Sequence, residues 1–168
     1  DAQADRVDSE NIITLILLRR IFEEKAKDGE TPATKLITEV LASENQDLVK
    51  RAGVNDLIVS NRFVSMLLAQ VSENPEIIRV YDELFDEAGS EIYLKPAGLY
   101  FRETPAKASF ADMLGVARKR GEICLGYKRK KDEGDATRNH GIRLNPPKNE
   151  IVTLEAGDSL VVLAEDET

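Results

Sequence analysis

The sequence predicts an α/β plus α+β protein: a parallel-sheet lobe with covering helices, then a pair of helices, then a small α+β lobe. Three observations predict it. Short apolar strands alternate with helical periodicities over the first sixty residues, the cadence of a parallel sheet flanked by helices. Two amphipathic helices then stand on either side of Glu73-Asn74-Pro75. Past a boundary near residues 89–95, short strands and one short helix are separated by charged and glycine-containing turns. No internal repeat is visible.

Asp8-Ser9-Glu10-Asn11 offers caps for a first helix carrying Ile12, Ile13, Leu15, Ile16, Leu17, Leu18, Ile21 and Phe22. Its start is nearly all apolar, which predicts burial on more than one side. Asp28-Gly29-Glu30-Thr31-Pro32 ends it. Residues 35–41 read as a strand, 45–52 as a helix stopped by Gly53, and 56–60 as a short buried strand. The two middle helices run over about 62–72 and 76–87. The first carries Val64, Leu67, Leu68 and Val71 at helical spacing, the second Ile77, Tyr81, Leu84 and Phe85. Pro75 suits the first turn of the second helix, and Gly89-Ser90 closes the pair. In the last lobe, 91–94, 122–128, 142–144 and 159–163 read as strands and 109–119 as a helix with Phe110, Met113, Leu114 and Val116 inward. Residues 154–158 make a tight turn into the last strand.

The 168 residues suffice for one medium domain or two small ones, and 42% hydrophobic with 32% charged residues is a soluble globular balance. The longest apolar runs, 12–18 and 160–164, fall well short of the roughly 20 residues of a bilayer-spanning helix. Any membrane crossing by the parent protein is therefore expected outside this segment. The chain starts among polar residues and enters a helix almost at once, as a fragment of a longer protein would. A net charge of −8 argues against a nucleic-acid partner, which needs a basic face. The basic run Lys128-Arg129-Lys130-Lys131 is followed by Asp132, Glu133 and Asp135, and reads as a solvated turn, with a docking or anionic-lipid patch as the alternative. One cysteine, Cys124, excludes a disulfide framework and a multi-cysteine metal site, and its apolar strand setting predicts a buried structural thiol.

Catalysis finds little material. His140, the only histidine, sits in the polar stretch Thr137–Gly141 and reads as a surface residue rather than a general base. No nucleophile elbow, phosphate-binding glycine loop or zinc-protease motif occurs. The candidates for ligand work are acidic. Glu39 stands near the carboxyl end of the strand at 35–41, where open α/β sheets place their ligands; a solvated strand end is the competing reading. Glu73, Glu76 and Glu103 could supply hard oxygen donors to Ca²⁺ if the fold brings them together. Asp82/Asp86 and Glu83/Glu87 repeat at i, i+4 and read as a solvated helix face. The acidic tail 165–167 carries no recognisable site.

The run Ser60-Asn61-Arg62-Phe63-Val64-Ser65-Met66-Leu67-Leu68-Ala69-Gln70, continuing through Pro75-Glu76-Ile77-Ile78-Arg79-Val80-Tyr81-Asp82-Glu83-Leu84-Phe85 to Glu91-Ile92-Tyr93-Leu94-Lys95, resembles the middle region of the CASTOR/POLLUX ion channels. The closing Ile142-Arg143-Leu144-Asn145-Pro146-Pro147 and the stretch 154–166 look like the end of the same unit. The chain is also similar, more loosely, to the C-terminal lobe of RCK domains and of Trk-type potassium-transport regulatory subunits. The resemblance implies the later part of a Rossmann-like lobe at 1–60, a helical crossover and dimerisation arm at 61–90, and an RCK-type α+β lobe at 91–168. It implies a cytoplasmic gating-ring domain of a membrane channel, working as a dimer within a larger ring that acts on membrane pore segments of the parent protein. A nucleotide site, if the parent has one, is expected in the upstream half of the Rossmann-like lobe. The apolar stripe of Val64, Leu67, Leu68, Val71, Ile77, Tyr81, Leu84 and Phe85 is the expected dimer interface, with an intrachain core as the alternative for part of it. A peripheral Trk-type regulator and a non-catalytic remnant of a nucleotide-dependent oxidoreductase are the other functional readings.

Overall fold

Helix α1 (Ala2–Lys27) starts well ahead of the polar cluster expected to cap it. Two i, i+4 ion pairs, Arg6–Glu10 at 3.0 Å and Arg20–Glu24 at 3.5 Å, and basic residues in the last turn suit a helix of this length. The computed structural model describes residues 2–27, 37–41, 57–86 and 88–167. They fall into two compact units, Asp1–Ile77 and Ile78–Thr168.

In the first unit, one stripe of α1 is buried, at Asp8, Ile12 and Leu15, while Ile13, Ile16, Leu17 and Ile21 stand exposed. The expectation of burial on more than one side is therefore corrected: spacing of three to four residues turns a single stripe inward. Asp8 does not cap its own helix. Its carboxylate accepts the Leu41 N–H at 2.8 Å, satisfying the backbone just past strand β1 (Thr38–Val40). β1 pairs in parallel with β2 (Leu57–Val59), Glu39 opposite Ile58 and Val40 opposite Val59. Both valines are buried. Helix α2 (Ser60–Glu73) follows directly and ends at Asn74, an extended residue whose N–H bonds the Gln70 carbonyl at 3.1 Å. The Asn74 side chain then accepts the Glu76 N–H at 3.2 Å, turning the chain toward α3 (Ile77–Leu84). The turn expected at 28–32 and the helix expected at 45–52 lie outside the described residues.

The second unit is an antiparallel α+β lobe. Strands β3 (Glu91–Pro96), β5 (Ile123–Lys128), β6 (Ile142–Leu144) and β8 (Ser159–Ala164) form one sheet in the order β3-β8-β5-β6. Strands β4 (Ala106–Ser109) and β7 (Ile151–Leu154) pair separately, Ala108 opposite Val152. Helix α4 (Phe110–Arg118) runs between β4 and β5. Ser109 caps α4 with a full capping box: its hydroxyl accepts the Asp112 N–H at 3.2 Å and the Asp112 carboxylate takes the Ser109 N–H at 2.8 Å. Phe110, Met113 and Ala117 bury one face of α4 in a core with Leu154, Leu160, Val162 and Cys124. Leu114 and Val116 pack at its margin, as the sequence predicts.

Strict alternation along β5 fails in an instructive way. The register shifts between Cys124 and Gly126, so that Cys124 faces Val162 and Tyr127 faces Leu160, both pairs on the core side. Gly126 is required at that bulge, because a Cβ there would lie 2.1 Å from the Arg143 carbonyl oxygen.

Candidate interaction surface

Helix α2 has no buried residue. Val64, Met66 and Leu68 are exposed, Leu68 by 64%, and Leu67 and Val71 are only half-buried. No glycine or proline interrupts α2, and its apolar side is formed without a buried residue. Helix α3 repeats the pattern: none of its residues is buried, Ile77, Tyr81 and Leu84 are half-buried, and Ile78 and Val80 are exposed. Phe85, one residue beyond, is 62% exposed, and its ring stacks on Tyr81 with centroids 6.1 Å apart. The eight stripe residues predicted from the sequence thus include no buried member.

Within the second unit the apolar surface extends from α3 onto the sheet. Period-two alternation turns Tyr93 and Lys95 of β3 toward the core and leaves Ile92 and Leu94 outside. Register carries this outer face across three strands, through Ile92, Leu163 and Ile123. Ile92 and Ile123 are more than half exposed. A recess of about 400 Å³ lies between Val80 and Leu84 of α3 and Leu163 of β8, with Arg79 and Glu83 at its rim. A second, of about 310 Å³, is lined by Leu84, Phe85, Glu91 and Ile92. β3 is also one of the two edge strands of its sheet.

The opposite face of β3 is anchored by a buried ion pair that no sequence motif marks. Lys95 and Glu122 are 1% and 7% exposed, and the Lys95 ammonium lies 3.0 Å from Glu122 Oε1. Arg120 Nε donates to the same oxygen at 3.1 Å, and the Tyr100 hydroxyl donates to Oε2. Asp166 stands 3.8 Å from the ammonium and the Tyr93 ring 5.5 Å from it. Burial pushes the Glu122 carboxyl up, but hydrogen bonds from Tyr100, Lys95 and Arg120 outweigh it and hold it below its ordinary value. Burial, then the bond to Glu122, push the Tyr100 phenol far above its ordinary range. No local pattern in Glu91–Pro96 or Gly121-Glu122 announces the pair. Its only signal is a lysine at an inward-facing position of a strand.

The acidic candidates sit apart from any such cluster. Glu39 is exposed on β1 and accepts a hydrogen bond from the Ser60 hydroxyl at the start of α2, where the helix dipole favours a carboxylate. Glu73 and Glu76 are exposed around the end of α2, and Glu103 is exposed in the bend that precedes β4. Among the described residues, no group of three or more histidine, cysteine, aspartate or glutamate side chains could hold a metal ion. His140 is exposed, its Nδ1 2.9 Å from the Glu133 carbonyl. Cys124 is a buried free thiol whose Sγ lies 3.3 Å from the Gly126 carbonyl, and burial pushes its pKa up. Residues of the basic run meet acidic partners: Lys128 with Glu133, Arg129 and Lys131 with Glu155 at 3.9 and 3.7 Å. No described helix is long and apolar enough to cross a membrane.

No protein-family model matches the chain. It is 33% identical over 144 residues to the probable ion channel POLLUX of Arabidopsis thaliana, covering 72% of this chain and 17% of that protein. It is 31% identical over 180 residues to the probable ion channel POLLUX of Oryza sativa subsp. japonica, covering 94% of this chain and 18% of that protein. With the ion channel CASTOR of Lotus japonicus the identity is 32% over 147 residues, 74% of this chain and 17% of that protein. The chain therefore spans less than a fifth of the length of these curated relatives. Of solved structures, the GsuK channel overlaps 94% of this chain and 23% of its own at 15% identity and a TM-score of 0.34. The GsuK channel bound to NAD gives 16% and 0.36 over the same shares. Overlaps at that level carry no argument about function.

A parallel strand pair in the first unit and an antiparallel α+β lobe in the second define a mixed α/β protein. This chain is homologous to the CASTOR and POLLUX ion channels, as the runs at 60–95 and 142–166 suggest.

Proposed function

We propose that this chain is a cytosolic regulatory domain of a cation channel, of the gating-ring kind, and that it couples ligand binding and subunit assembly to ion flux without catalysing a reaction. Homology to ion channels supports the channel assignment. The observation that carries the assembly role is the uncovered apolar side of α2 and α3, neither of which has a buried residue. Two copies sharing Val64, Leu67, Leu68, Val71, Ile77, Tyr81, Leu84 and Phe85 would remove that surface from water at about 25 cal/mol per Å² of apolar area, before the costs of association. A stable interface of this kind buries roughly 800 Å² on each partner. Coupling to a pore then requires that a ligand bind one assembled state better than another.

Ligand and assembly are tested together. Ca²⁺, Na⁺ and adenine nucleotides are titrated calorimetrically against the chain while its mass is followed by light scattering. The expected result is a dimer whose mass or stability changes with one of these ligands, with no substrate consumed. Glu39→Gln and the pair Glu73→Gln/Glu103→Gln assign any site found to the first acidic candidate or to the second group. Turnover of a metabolite, or an unchanging monomer under every ligand, would contradict the proposal.

A further inference from the structure

Helix α3 carries its charges in an order that a single helix does not favour. Arg79 stands in its first turn, where the helix dipole prefers an acid. Asp82 and Glu83 stand in its last turn, where the dipole prefers a base. Glu76, just ahead of the helix, has the favourable sign, and Asp86, two residues beyond it, adds to the acidic end. We propose that α3 pairs antiparallel with α3 of a second copy about a two-fold axis, Arg79 of each copy against Glu83 of the other. This pairing rests on the assembly reading given above, to which it adds an orientation and a register.

An antiparallel partner removes the conflict. It sets the positive end of one dipole beside the negative end of the other, and brings the basic first turn of each copy to the acidic last turn of its mate. A parallel pair would lay like charge beside like. Within one chain Arg79 and Glu83 are one turn apart, but with the base N-terminal to the acid, the weaker order for an i, i+4 pair. Arg79, Asp82 and Glu83 are all exposed, so the pairing needs no buried charge to move. Glu83 is the partner chosen by position: it borders the same recess as Arg79, which Asp82 does not. The Asp86 carboxylate already accepts the Ala88 N–H at 2.9 Å.

The same side of α3 supplies the surface that the pair would bury. Between the two charges lie Val80, 59% exposed, and beyond them Leu84, which line that recess of about 400 Å³ together with Leu163. Val80 and Leu84 are also one turn apart. A two-fold axis passing α3 near residues 81–82 therefore sets Val80 of each helix against Leu84 of the other in the same step that joins 79 to 83. An eight-residue helix is only about 12 Å long, too short to hold two chains by itself. The row Ile92, Leu163 and Ile123 continues the apolar surface across the sheet from the recess. An interface of roughly 800 Å² on each partner requires that extension.

The test is a charge exchange followed by sedimentation equilibrium at low ionic strength, where exposed charges are least screened. Arg79→Glu and Glu83→Arg alone should each weaken self-association about tenfold or more, since the two-fold axis repeats every repulsion. Mixed in equal amounts, the two variants should associate with each other about as tightly as the unaltered chain does with itself, because both facing pairs are then opposite in sign. The double change Arg79→Glu with Glu83→Arg should recover likewise. Lys107→Glu, exposed on β4, should associate as the unaltered chain does. If either reversal unfolds the chain, Arg79→Gln and Glu83→Gln serve instead and should each weaken association severalfold. A dimer indifferent to these changes, or single variants that do not recover on mixing, would overturn the antiparallel pairing and leave the assembly reading standing. A monomer of the unaltered chain would overturn both.

Discussion

Helices α4 and α2 have the same kind of sequence and opposite fates. Both set apolar residues at helical spacing, Phe110, Met113 and Leu114 on α4 and Val64, Leu67, Leu68 and Val71 on α2. α4 is fixed by a capping box and buries Phe110, Met113 and Ala117. α2 has no side-chain cap and buries nothing. Periodicity tells which face of a helix is apolar, but not which polypeptide covers it. α4 finds its cover in the antiparallel lobe of its own unit, whereas no residue of α2 is buried.

The contrast can be broken most severely on the α4 side. Phe110→Ala should cost about 3–5 kcal/mol of unfolding free energy in urea, because the ring is fully enclosed. Glu122→Ala should follow at about 3 kcal/mol or more, since it leaves the Lys95 ammonium buried without its main partner. The double change Lys95→Met with Glu122→Leu should recover most of that loss if the pair itself adds little net stability.

Acid and alkali probe the same cluster. The Glu122 carboxyl is held below its ordinary value of 4.5, so its contribution is complete above that value and is lost as pH falls through the lower folded-state value. The Tyr100 phenol is raised above 10.0, so its contribution is complete below pH 10.0 and is lost as pH rises toward the folded-state value. Urea unfolding across pH should show both losses, and Tyr100→Phe should flatten the alkaline one. A smaller effect, about 1 kcal/mol, is expected for Ser109→Ala, which removes the α4 cap. Smallest of all, Leu68→Glu on α2 should change single-chain stability by no more than about 0.5 kcal/mol, because the residue is already 64% exposed.

Most elements were legible because their signals are local. The strands at 91–96, 123–128, 142–144 and 159–164, the helix after Ser109 and the two helices around Asn74 follow from periodicity and turn residues. β4 escaped because Ala106-Lys107-Ala108-Ser109 has no intrinsic strand preference and becomes a strand through its pairing with β7. β7 carried a clear alternation, with Val152 and Leu154 inside and Ile151 and Thr153 outside, hidden next to the turn that follows it. Cys124 is legible as a buried thiol from its apolar strand. Lys95–Glu122 was not legible, since it joins residues 27 positions apart that only the pairing of β3 and β5 with β8 brings together. Asp8 taught the same lesson in the first unit: a residue of capping type serves a strand end 33 positions away.

Sedimentation equilibrium of the chain beside Leu68→Glu and Phe85→Glu tests the central claim most directly. A shared helix surface predicts a concentration-dependent dimer for the unaltered chain and monomers for both variants, with their thermal unfolding otherwise preserved. A monomer at the highest attainable concentration, or a dimer indifferent to both charges, would contradict it.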